Sequence, residues 1–246
     1  MRDIVYPPVI AFAKTAFKVL DLNFTMVGTE HVPRTGGAVI ALNHISYVDF
    51  VIGGFGAQPS KRLVRFMAKE VLFRNRYSGP LMRGMHHIPV DRDAGSASYR
   101  QALSYLKAGE IVGVFPEATI SRSFELKEFK SGTVRMAAAA GVPVIPMILW
   151  GTQRMLTKDH PKDFSRHQNV SITVGAPMSV TRQDDANEAT ERLRTTMAGM
   201  LDETIRAYHE QPAGAWWLPA SYGGGAPTPE EAERLDQEEL ARRRNR

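Results

Sequence analysis

The chain contains no cysteine among its 246 residues. That absence excludes a covalent intermediate carried on a cysteine thiol, and it is typical of a reducing compartment. The chain also lacks the Gly-x-Ser-x-Gly pattern that exposes a serine nucleophile in one large class of hydrolases. We therefore expect any catalysis to rely on a base that activates a hydroxyl group of the substrate.

A long hydrophobic run is missing as well. The longest apolar stretch near the beginning, 9–20, is interrupted by Lys14 and Lys18 and is shorter than the ~20 residues that a membrane span needs. On a helix, these lysines and Asp21 share one narrow face, and apolar residues wrap the rest. This pattern predicts an amphipathic helix within 1–27 that lies on a membrane surface. A core-packed N-terminal helix is the alternative.

Signatures of cofactor, metal and nucleic-acid binding are also absent. Gly53–Gly56 lacks the last glycine of a dinucleotide loop and follows a predicted helix rather than a strand, so no nucleotide cofactor is expected. His86 and His87 are adjacent and point apart, without a third ligand at a recognisable spacing, so no metal site is expected. No zinc-finger, helix-turn-helix or RNA-binding pattern accompanies the basic residues, and we expect no nucleic-acid partner.

The positive charge is concentrated in the body of the chain. The formal net charge is +5, and the segment 213–246 holds five Arg and six Asp or Glu, or −1, which leaves +6 for the residues before it. Much of this charge falls between 61 and 76, interleaved with apolar side chains. Basic and apolar residues together predict an anionic membrane surface as partner. The basic residues concerned are Lys61, Arg62, Arg65, Lys69, Arg74 and Arg76.

The most informative stretch present is 43–49, which reads Asn-His-Ile-Ser-Tyr-Val-Asp and follows a run, 36–42, that is predicted to be a buried strand. A neutral histidine can take a proton from an alcohol near pH 7, and a carboxylate on its other ring nitrogen fixes the tautomer. His44 and Asp49 therefore suit a general base and its orienting partner. Alternatively, Ser46 and Asp49 cap a helix and His44 is an ordinary turn residue.

A second polar cluster follows another predicted buried strand. Residues 115–119 read Phe-Pro-Glu-Ala-Thr and come directly after the strand that begins at Ile111. Parallel strands deliver their carboxyl ends to one edge of a sheet, where α/β folds place their sites. We therefore expect Glu117 to lie near His44, although a glutamate after Phe-Pro can also simply start a helix.

An ordered set of fragments carries a resemblance to a known family. Besides 43–49 and 115–119 they are Lys69-Glu70, Gly84 with Ile-Pro-Val-Asp-Arg at 88–92, Phe-Lys-Ser-Gly at 129–132 and Val-Pro-Val-Ile-Pro at 142–146. In this order, over roughly residues 25 to 180, the chain resembles the glycerolipid acyltransferases, and most closely the 1-acylglycerol-3-phosphate acyltransferases. The resemblance implies an α/β fold with a mixed, largely parallel central sheet flanked by helices.

The resemblance also implies roles for individual residues. His44 is the expected general base and Asp49 its orienter, Lys69 and Arg92 are expected to contact the acceptor's phosphate, and Glu117 is expected to hold its glycerol end. Read without the family, Lys69 is an exposed helix charge and Arg92 a solvated turn charge. Within the same blocks the further candidate substrate-binding residues are Thr119, Arg122, Lys130 and Gly132.

One position departs from the family pattern. The third block of the family ends in Gly-Thr-Arg, and its arginine is expected to bind the acceptor's phosphate, whereas this chain reads Ala118-Thr119-Ile120. An isoleucine cannot hold a phosphate. Arg122 or Lys130 can supply the missing charge, since a bidentate or point-charge contact suffices for a phosphomonoester. Otherwise the acceptor differs from lysophosphatidate.

Periodicity and breakers predict the remaining organisation. Residues 28–212 are expected to form one catalytic domain, and 213–246 a Gly/Pro-rich linker with a charged, solvated helix, with Trp216 and Trp217 as interface anchors. Helices are predicted at 47–56, 96–106, 133–140 and 186–208, and strands at 36–42, 111–115, 142–149 and 170–174.

The predicted activity is transfer of a long-chain acyl group from a thioester, of coenzyme A or acyl carrier protein, to a lysophospholipid hydroxyl. The most favoured acceptor is 1-acylglycerol-3-phosphate, at the cytoplasmic face of a membrane. Two alternatives stay open: a lipid-binding protein that has kept the fold without the chemistry, and a thioester hydrolase. Acyl chain length, glycerol position, acceptor head group, donor type and oligomeric state are not readable from the sequence.

Overall fold

The computed structural model describes residues 3–91 and 95–244, so Arg92 lies outside the described residues. Its helices are α1 (Tyr6–Val19), α2 (Asp49–Gly56), α3 (Val71–Arg74), α4 (Ser78–Gly84), α5 (Gly95–Lys107), α6 (Gly132–Ala140), α7 (Ala186–Ala207) and α8 (Pro229–Arg244). Its strands are β1 (Asn23–Val27), β2 (Ala38–Leu42), β3 (Val64–Lys69), β4 (Ile88–Val90), β5 (Ile111–Val114), β6 (Val144–Trp150) and β7 (Asn169–Val174).

The seven strands form one mixed sheet in the order β1-β7-β6-β2-β5-β3-β4. The pairs from β6 to β4 are all parallel, whereas β7 runs antiparallel to β6 and β1 runs parallel to β7. The predicted α/β class with a largely parallel, helix-flanked sheet is confirmed. Because β6, β2, β5, β3 and β4 share one direction, the segments that follow them start at the same edge.

Strand β2 lies at the centre of the sheet, and all five of its residues are buried. Val39 and Ala41 face a core formed with α5, α6 and α7. Ala38, Ile40 and Leu42 face a second core formed with α2. Both faces of the strand are covered, which explains why its sequence is a continuous apolar run rather than an alternating one.

The elements predicted around these cores are confirmed to within about two residues at each end. Gly141 ends α6 with a φ of 70°, in the left-handed region that favours glycine. Asp185 caps α7 by accepting the backbone N–H groups of Asn187 and Glu188. The predicted helix 47–56 begins later, at Asp49, because the preceding residues form the turn that carries the polar cluster.

The predicted boundary at residue 27 needs correction. Residues 23–27 are strand β1, which pairs in parallel with β7 from Asn23↔Asn169 to Val27↔Thr173. The sheet therefore begins inside the segment that was predicted to be only a membrane-associating helix. An edge strand with one partner buries little of its length, and its alternation is too short to distinguish it from a helix terminus.

Helix α1 packs against the core on one face and exposes apolar side chains on the other, so its predicted place on a membrane surface stays a prediction. One face packs against α2, where the rings of Phe17 and Phe55 lie 5.3 Å apart, and the hydroxyl of Tyr6 donates to the carbonyl of Val64. On the opposite face Phe12 is 76% exposed and Val19 is 65% exposed. Within the part of the chain that the structure describes, no helix is both long and apolar enough to cross a membrane.

The predicted charged helix after residue 228 is present as α8, but the predicted linker before it packs against the body of the protein. Leu218 and Ala226 are buried, and Trp217 packs edge-on against Tyr208 with the guanidinium of Arg154 4.7 Å from its ring. Trp217 is therefore a core residue rather than an interface anchor. Trp216 stacks on His160 at 3.9 Å. The apolar anchors in 213–228 bring α8 back onto the body, which local charge composition cannot indicate.

Candidate active site

The predicted base and its partner meet at the carboxyl edge of β2. His44 Nδ1 lies 3.0 Å from Asp49 Oδ2, and the two residues come from the β2–α2 turn and the first position of α2. The imidazole is 20% exposed and the carboxylate is fully buried. A buried carboxylate accepting from Nδ1 favours the tautomer in which Nε2 carries the free lone pair. Nε2 is thus the atom that can accept a proton from a bound hydroxyl.

The Asp49 carboxylate also organises the backbone of the turn. Its Oδ2 accepts the N–H groups of Ile45 and Ser46, each at 2.7 Å, and its Oδ1 accepts the hydroxyl of Thr152 at 2.7 Å. The Ser46 hydroxyl accepts the N–H of Val48 at 3.2 Å. The alternative in which Ser46 caps the helix is not observed, because α2 begins after Val48 without a side-chain cap. The Asp49 carboxylate instead accepts four donors around the turn, for which it has enough lone pairs.

The ring of His44 is held on its flat side by an aromatic contact. Phe115, which follows β5, stacks on the imidazole with ring centroids 4.2 Å apart and an interplanar angle of 24°. Phe66 of β3 continues the stack behind Phe115 at 6.0 Å. The imidazole therefore has its plane fixed by Phe115 and its rotation fixed by Asp49, which leaves one edge of the ring toward solvent.

Glu117 lies next to His44, as predicted, and joins two loops. Its Oε1 accepts the backbone N–H of His44 at 2.8 Å, and its Oε2 accepts that of Lys127 at 3.0 Å. Burial raises the pKa of this carboxyl to about 8, although both N–H groups oppose the shift. The observed contacts make Glu117 a positioning residue for the His44 backbone. Its predicted contact with the acceptor's glycerol end stays a prediction.

The residue after Glu117 has a strained backbone. Ala118 has a φ of 59°, in the left-handed region that costs a residue with a Cβ about 1 to 2 kcal/mol. The resembled family carries glycine at this position, for which the conformation is free of that cost. The loop has therefore kept the family's backbone turn although the residue has changed.

The phosphate candidates lie at different depths. Lys69 ends β3 at the same edge of the sheet as the turn 43–49, which we call the catalytic turn, and it is exposed. Ile120 is buried, so the position that departs from the family offers no charge to a ligand. Arg122 is also buried, and its guanidinium is ion-paired with Asp159, Asp236 and Glu239. The phosphate contacts predicted for Lys69, Arg92 and Arg122 stay predictions.

The remaining candidates fall in the loop between β5 and α6. The hydroxyl of Thr119 accepts from Lys127 Nζ at 2.9 Å. Lys130 is exposed, and its backbone N–H donates to the carbonyl of Pro116 at 3.0 Å. Gly132 begins α6, with open space where a Cβ would stand. The structure thus brings Thr119 close to the Glu117 loop and leaves the Lys130 side chain in solvent.

Two arginines of the predicted membrane patch have structural roles instead. Arg65 is buried and pairs with Asp3 at 2.7 Å and Glu110 at 3.2 Å. Arg62 donates to the backbone carbonyls of Pro33, Gly36 and Gly109. The predicted patch is therefore smaller than its sequence suggested. Arg65 is 1% exposed and cannot contact a lipid surface, and Arg62 is half-buried with its two terminal nitrogens bound to backbone carbonyls.

Sequence reasoning missed three residues that shape the site. Thr152, which follows β6, is buried and binds Asp49, and Asn43 bridges β2 to β6 through two bonds with the backbone of Leu149. The rule that sites lie at the carboxyl ends of parallel strands would have indicated Thr152. Lys127 carries no such signal, because only the fold brings its side chain to Thr119.

Similarity to known proteins agrees with this geometry. Residues 23–150 match the family model Acyltransferase. The chain is 30% identical, over 178 residues, to 1-acyl-sn-glycerol-3-phosphate acyltransferase of Bacillus subtilis (strain 168), which covers 72% of this chain and 83% of that relative. It is 29% identical to the chloroplastic 1-acyl-sn-glycerol-3-phosphate acyltransferase LPAT1 of Arabidopsis thaliana over 69% of this chain and 48% of that one.

The fold also matches a solved structure. The crystal structure of the 1-acyl-sn-glycerophosphate acyltransferase of Thermotoga maritima superimposes with a TM-score of 0.68 and 23% sequence identity. The match covers 83% of this chain and 81% of that one. At this identity the likeness concerns the fold, which is the mixed sheet with the polar loops at its carboxyl edge.

Proposed function

The chain is an O-acyltransferase that belongs to the glycerolipid acyltransferase family, and we propose that it acylates the free hydroxyl of 1-acylglycerol-3-phosphate to give phosphatidate. The observation that carries the proposal is the His44–Asp49 pair, 3.0 Å apart, with the ring partly exposed and its other nitrogen available. The acceptor is the one named for the Bacillus subtilis and Arabidopsis thaliana relatives. The donor is a long-chain acyl thioester.

In the proposed reaction His44 Nε2 removes the proton of the acceptor hydroxyl as its oxygen attacks the thioester carbonyl carbon. A C–O bond forms, and the tetrahedral intermediate then collapses with cleavage of the C–S bond. The thiol leaves with the proton returned from the imidazolium, so no net proton is gained or lost. Asp49 stabilises the transient imidazolium. General-base catalysis of this kind contributes roughly 10² to 10⁴ in rate.

The contacts around Asp49 and Glu117 support this reaction because they fix the base before any substrate binds. Asp49 accepts four hydrogen bonds and Glu117 accepts two. Their donors belong to the turn 43–49, to Lys127 and to Thr152. A ring held in this way has little orientational freedom to lose on reaching the transition state. A lipid-binding protein without chemistry has no need for such a network.

Association with a membrane surface is part of the proposal. Val5 precedes α1 and touches α4, since a Cβ added to Gly84 would lie 2.5 Å from Val5 Cγ2. The start of α1 therefore lies beside the end of α4, and exposed apolar residues occur in or next to α1, α3 and α4. Together they can insert into the headgroup region of a bilayer, at its cytoplasmic face. The residues are Ile4, Phe12, Val19, Val71, Leu72, Tyr77 and Leu81.

The experiment that tests the function supplies purified protein with palmitoyl-coenzyme A or palmitoyl-acyl carrier protein. Lysophosphatidate and monoacylglycerol serve as acceptors, and a reaction without an added acceptor is the control. Free thiol and lipid product are followed together. Equal amounts of thiol and phosphatidate with lysophosphatidate are expected. Thiol release in buffer alone, without a lipid product, would indicate thioester hydrolysis. Preference for monoacylglycerol would contradict the phosphorylated acceptor.

A further inference from the structure

A cationic cluster lies beside the catalytic loops and is covered by the C-terminal helix. The guanidinium of Arg122, 7% exposed, donates from Nε to Asp159 at 2.6 Å and from its two terminal nitrogens to Asp236 and Glu239. Asp236 and Glu239 belong to α8, more than 100 residues further along the chain. The buried arginine therefore obtains two of its three carboxylate partners from a separate element.

Two lysines complete the cluster. Lys158 Nζ lies 3.1 Å from a carboxylate oxygen of Asp236 and 3.1 Å from one of Glu239. Lys127 Nζ also binds Asp236. Desolvation lowers the pKa of Lys158, and the neighbouring cations lower it further while Glu239 opposes them. The Asp236 carboxylate thus bridges three cations, which is the arrangement that an anionic group of a ligand would adopt.

The charge balance of the cluster shows what α8 supplies. Arg122, Lys127 and Lys158 contribute +3, and Asp159, the acidic partner from the body, contributes −1. Without Asp236 and Glu239 of α8, the cluster would carry +2. A phosphomonoester carries about −1.5 to −2 at pH 7. The two carboxylates of α8 therefore provide the same negative charge as the phosphate of a lysophosphatidate.

The cluster is connected to the catalytic residues. A cavity of about 290 Å³ is lined by Tyr47 of the catalytic turn, by Arg122 and Lys158, and by residues of α8. The backbone N–H of Ser121, adjacent to Arg122, donates to the carbonyl of His44 at 2.8 Å. Lys127 donates its backbone N–H to Glu117. An anion held by these cations would lie beside the loop that carries the base.

Helix α8 is attached to this place mainly through charge. Its inward face comprises Ala232, Leu235, Asp236 and Glu239, and the other described side chains of the helix are mostly exposed and polar. Asp236 is only 13% exposed, but few apolar groups accompany it. Leaving the buried arginine without an anion would be costly. Replacing the carboxylates by another anion keeps the cations paired, so α8 can be released at little cost only when such an anion binds.

We propose that Arg122, Lys127 and Lys158 form the site for the acceptor's phosphate, and that Asp236 and Glu239 occupy it until an acceptor displaces α8. The proposal rests on the proposed function, and it replaces the missing arginine at Ile120 with a different set of cations. Helix α8 then acts as an internal competitor. The apparent affinity for the acceptor is then the intrinsic affinity multiplied by the fraction of molecules in which α8 leaves the site open.

The first test measures hydrogen–deuterium exchange of the backbone of α8 in the full chain. Lysophosphatidate is expected to accelerate exchange across α8, and inorganic phosphate is expected to do so at higher concentration, because it shares only the head-group chemistry. Monoacylglycerol, and sodium chloride at matched ionic strength, should leave exchange unchanged. Unchanged protection of α8 with saturating lysophosphatidate would overturn the proposal, as would an equal response to monoacylglycerol.

The second test removes the competitor's charge and keeps its shape. We expect Asp236→Asn together with Glu239→Gln to lower the KM for lysophosphatidate roughly three- to tenfold. Glu230→Gln together with Glu233→Gln removes the same charge from the exposed face of α8 and should leave KM unchanged. A KM that is unchanged or raised in the first variant would contradict the proposal. If that variant fails to fold, the exchange experiment on the natural chain decides.

These tests separate the inference from the function. If the protein makes phosphatidate while α8 keeps its protection, only the inference fails. If lysophosphatidate or inorganic phosphate releases α8 and no phosphatidate forms, the anion site stands and the proposed reaction fails. Photocrosslinking the bound lysophosphatidate and locating the adduct by mass spectrometry gives an independent readout. Adducts in 119–127 and 158–159 are expected, and adducts confined to 69–76 would contradict the assignment.

Discussion

The catalytic turn and the Arg122 cluster lie side by side but are held in different ways. His44, Asp49 and Glu117 are held by backbone N–H groups and one buried hydroxyl, within 2.7 to 3.0 Å. Arg122 is held by side-chain carboxylates, two of them on a helix at the end of the chain. The first arrangement is rigid and exists before substrate binds, whereas the second can exchange one anion for another.

This difference follows from the cost of breaking each set of contacts. Removing a buried acceptor leaves N–H groups unsatisfied, at about 1 to 3 kcal/mol each. Replacing a carboxylate by a phosphate leaves the cations satisfied. Under the proposals above, the base keeps one position and movement occurs where the acceptor's phosphate binds. A turn as rigid as this comparison requires should respond strongly to the loss of a single contact.

The largest effect is expected from His44→Ala. Loss of the base should lower kcat for phosphatidate formation roughly 10²- to 10⁴-fold, while the fold persists because Asp49 keeps its three other donors. Phosphatidate and free thiol are measured together, with circular dichroism to check folding. The exposed His209 provides the matched control, and His209→Ala should be fully active. If His44→Ala were nearly as active as the natural chain, the proposed mechanism would be wrong.

A smaller effect is expected from removing one of the hydrogen bonds that position Asp49. Thr152→Val keeps the shape of the side chain and removes the hydroxyl that donates to Asp49 Oδ1. Loss of one hydrogen bond worth about 1 kcal/mol should lower kcat roughly five- to tenfold with little change in KM. Thr190→Val removes a comparable hydroxyl in α7, which donates to the carbonyl of Ala186, and serves as the control for stability. Equal kcat in the two variants would show that Asp49 is positioned without Thr152.

The buried carboxyl of Glu117 predicts a pH dependence of stability. Its pKa is raised to about 8 in the folded chain, from an ordinary value of 4.5. The folded state therefore binds more protons than the unfolded state between these values, so the free energy of unfolding should fall as pH rises from about 5 to 8. Tm is measured at each pH for the natural chain and for Glu117→Gln.

The slope of Tm against pH should be shallower in Glu117→Gln, because the titrating group is gone. Glu125→Gln, on the same loop but partly exposed, should keep the slope of the natural chain. Parallel curves for all three proteins would mean that Glu117 titrates near its ordinary value. Glu117 would then be ionised in the folded chain, and the N–H groups of His44 and Lys127 would be bound by a carboxylate rather than by a neutral carboxyl group.

The smallest effect is expected at Ala118. Ala118→Gly relieves the left-handed backbone conformation and should stabilise the protein by roughly 0.5 to 1 kcal/mol, after the greater freedom of glycine in the unfolded chain is taken into account. Ala137→Gly, in the buried interior of α6, should destabilise it by a similar amount or more. Urea denaturation measures both. Destabilisation by Ala118→Gly would mean that packing of the methyl group outweighs the strain.

Much of the central fold could be predicted because its signals are local. Strands β2, β5 and β6 are apolar runs that end in polar or glycine-containing segments, and α7 has a clear apolar period. Strand β1 was missed because an exposed edge strand of five residues has a weak pattern. The packing of Trp217 and the docking of α8 were missed because composition describes a segment's average and not its partner.

The sequence by itself determined the pairing of His44 with Asp49, since they are five residues apart and a turn after a strand brings them within 3.0 Å. Only the tertiary structure decided which groups surround them. Glu117 reaches His44 across 73 residues, Thr152 reaches Asp49 across 103, and Glu239 reaches Arg122 across 117. Contacts at such separations depend on strand order and helix docking, which are set by the burial of the whole core rather than by neighbours in the chain.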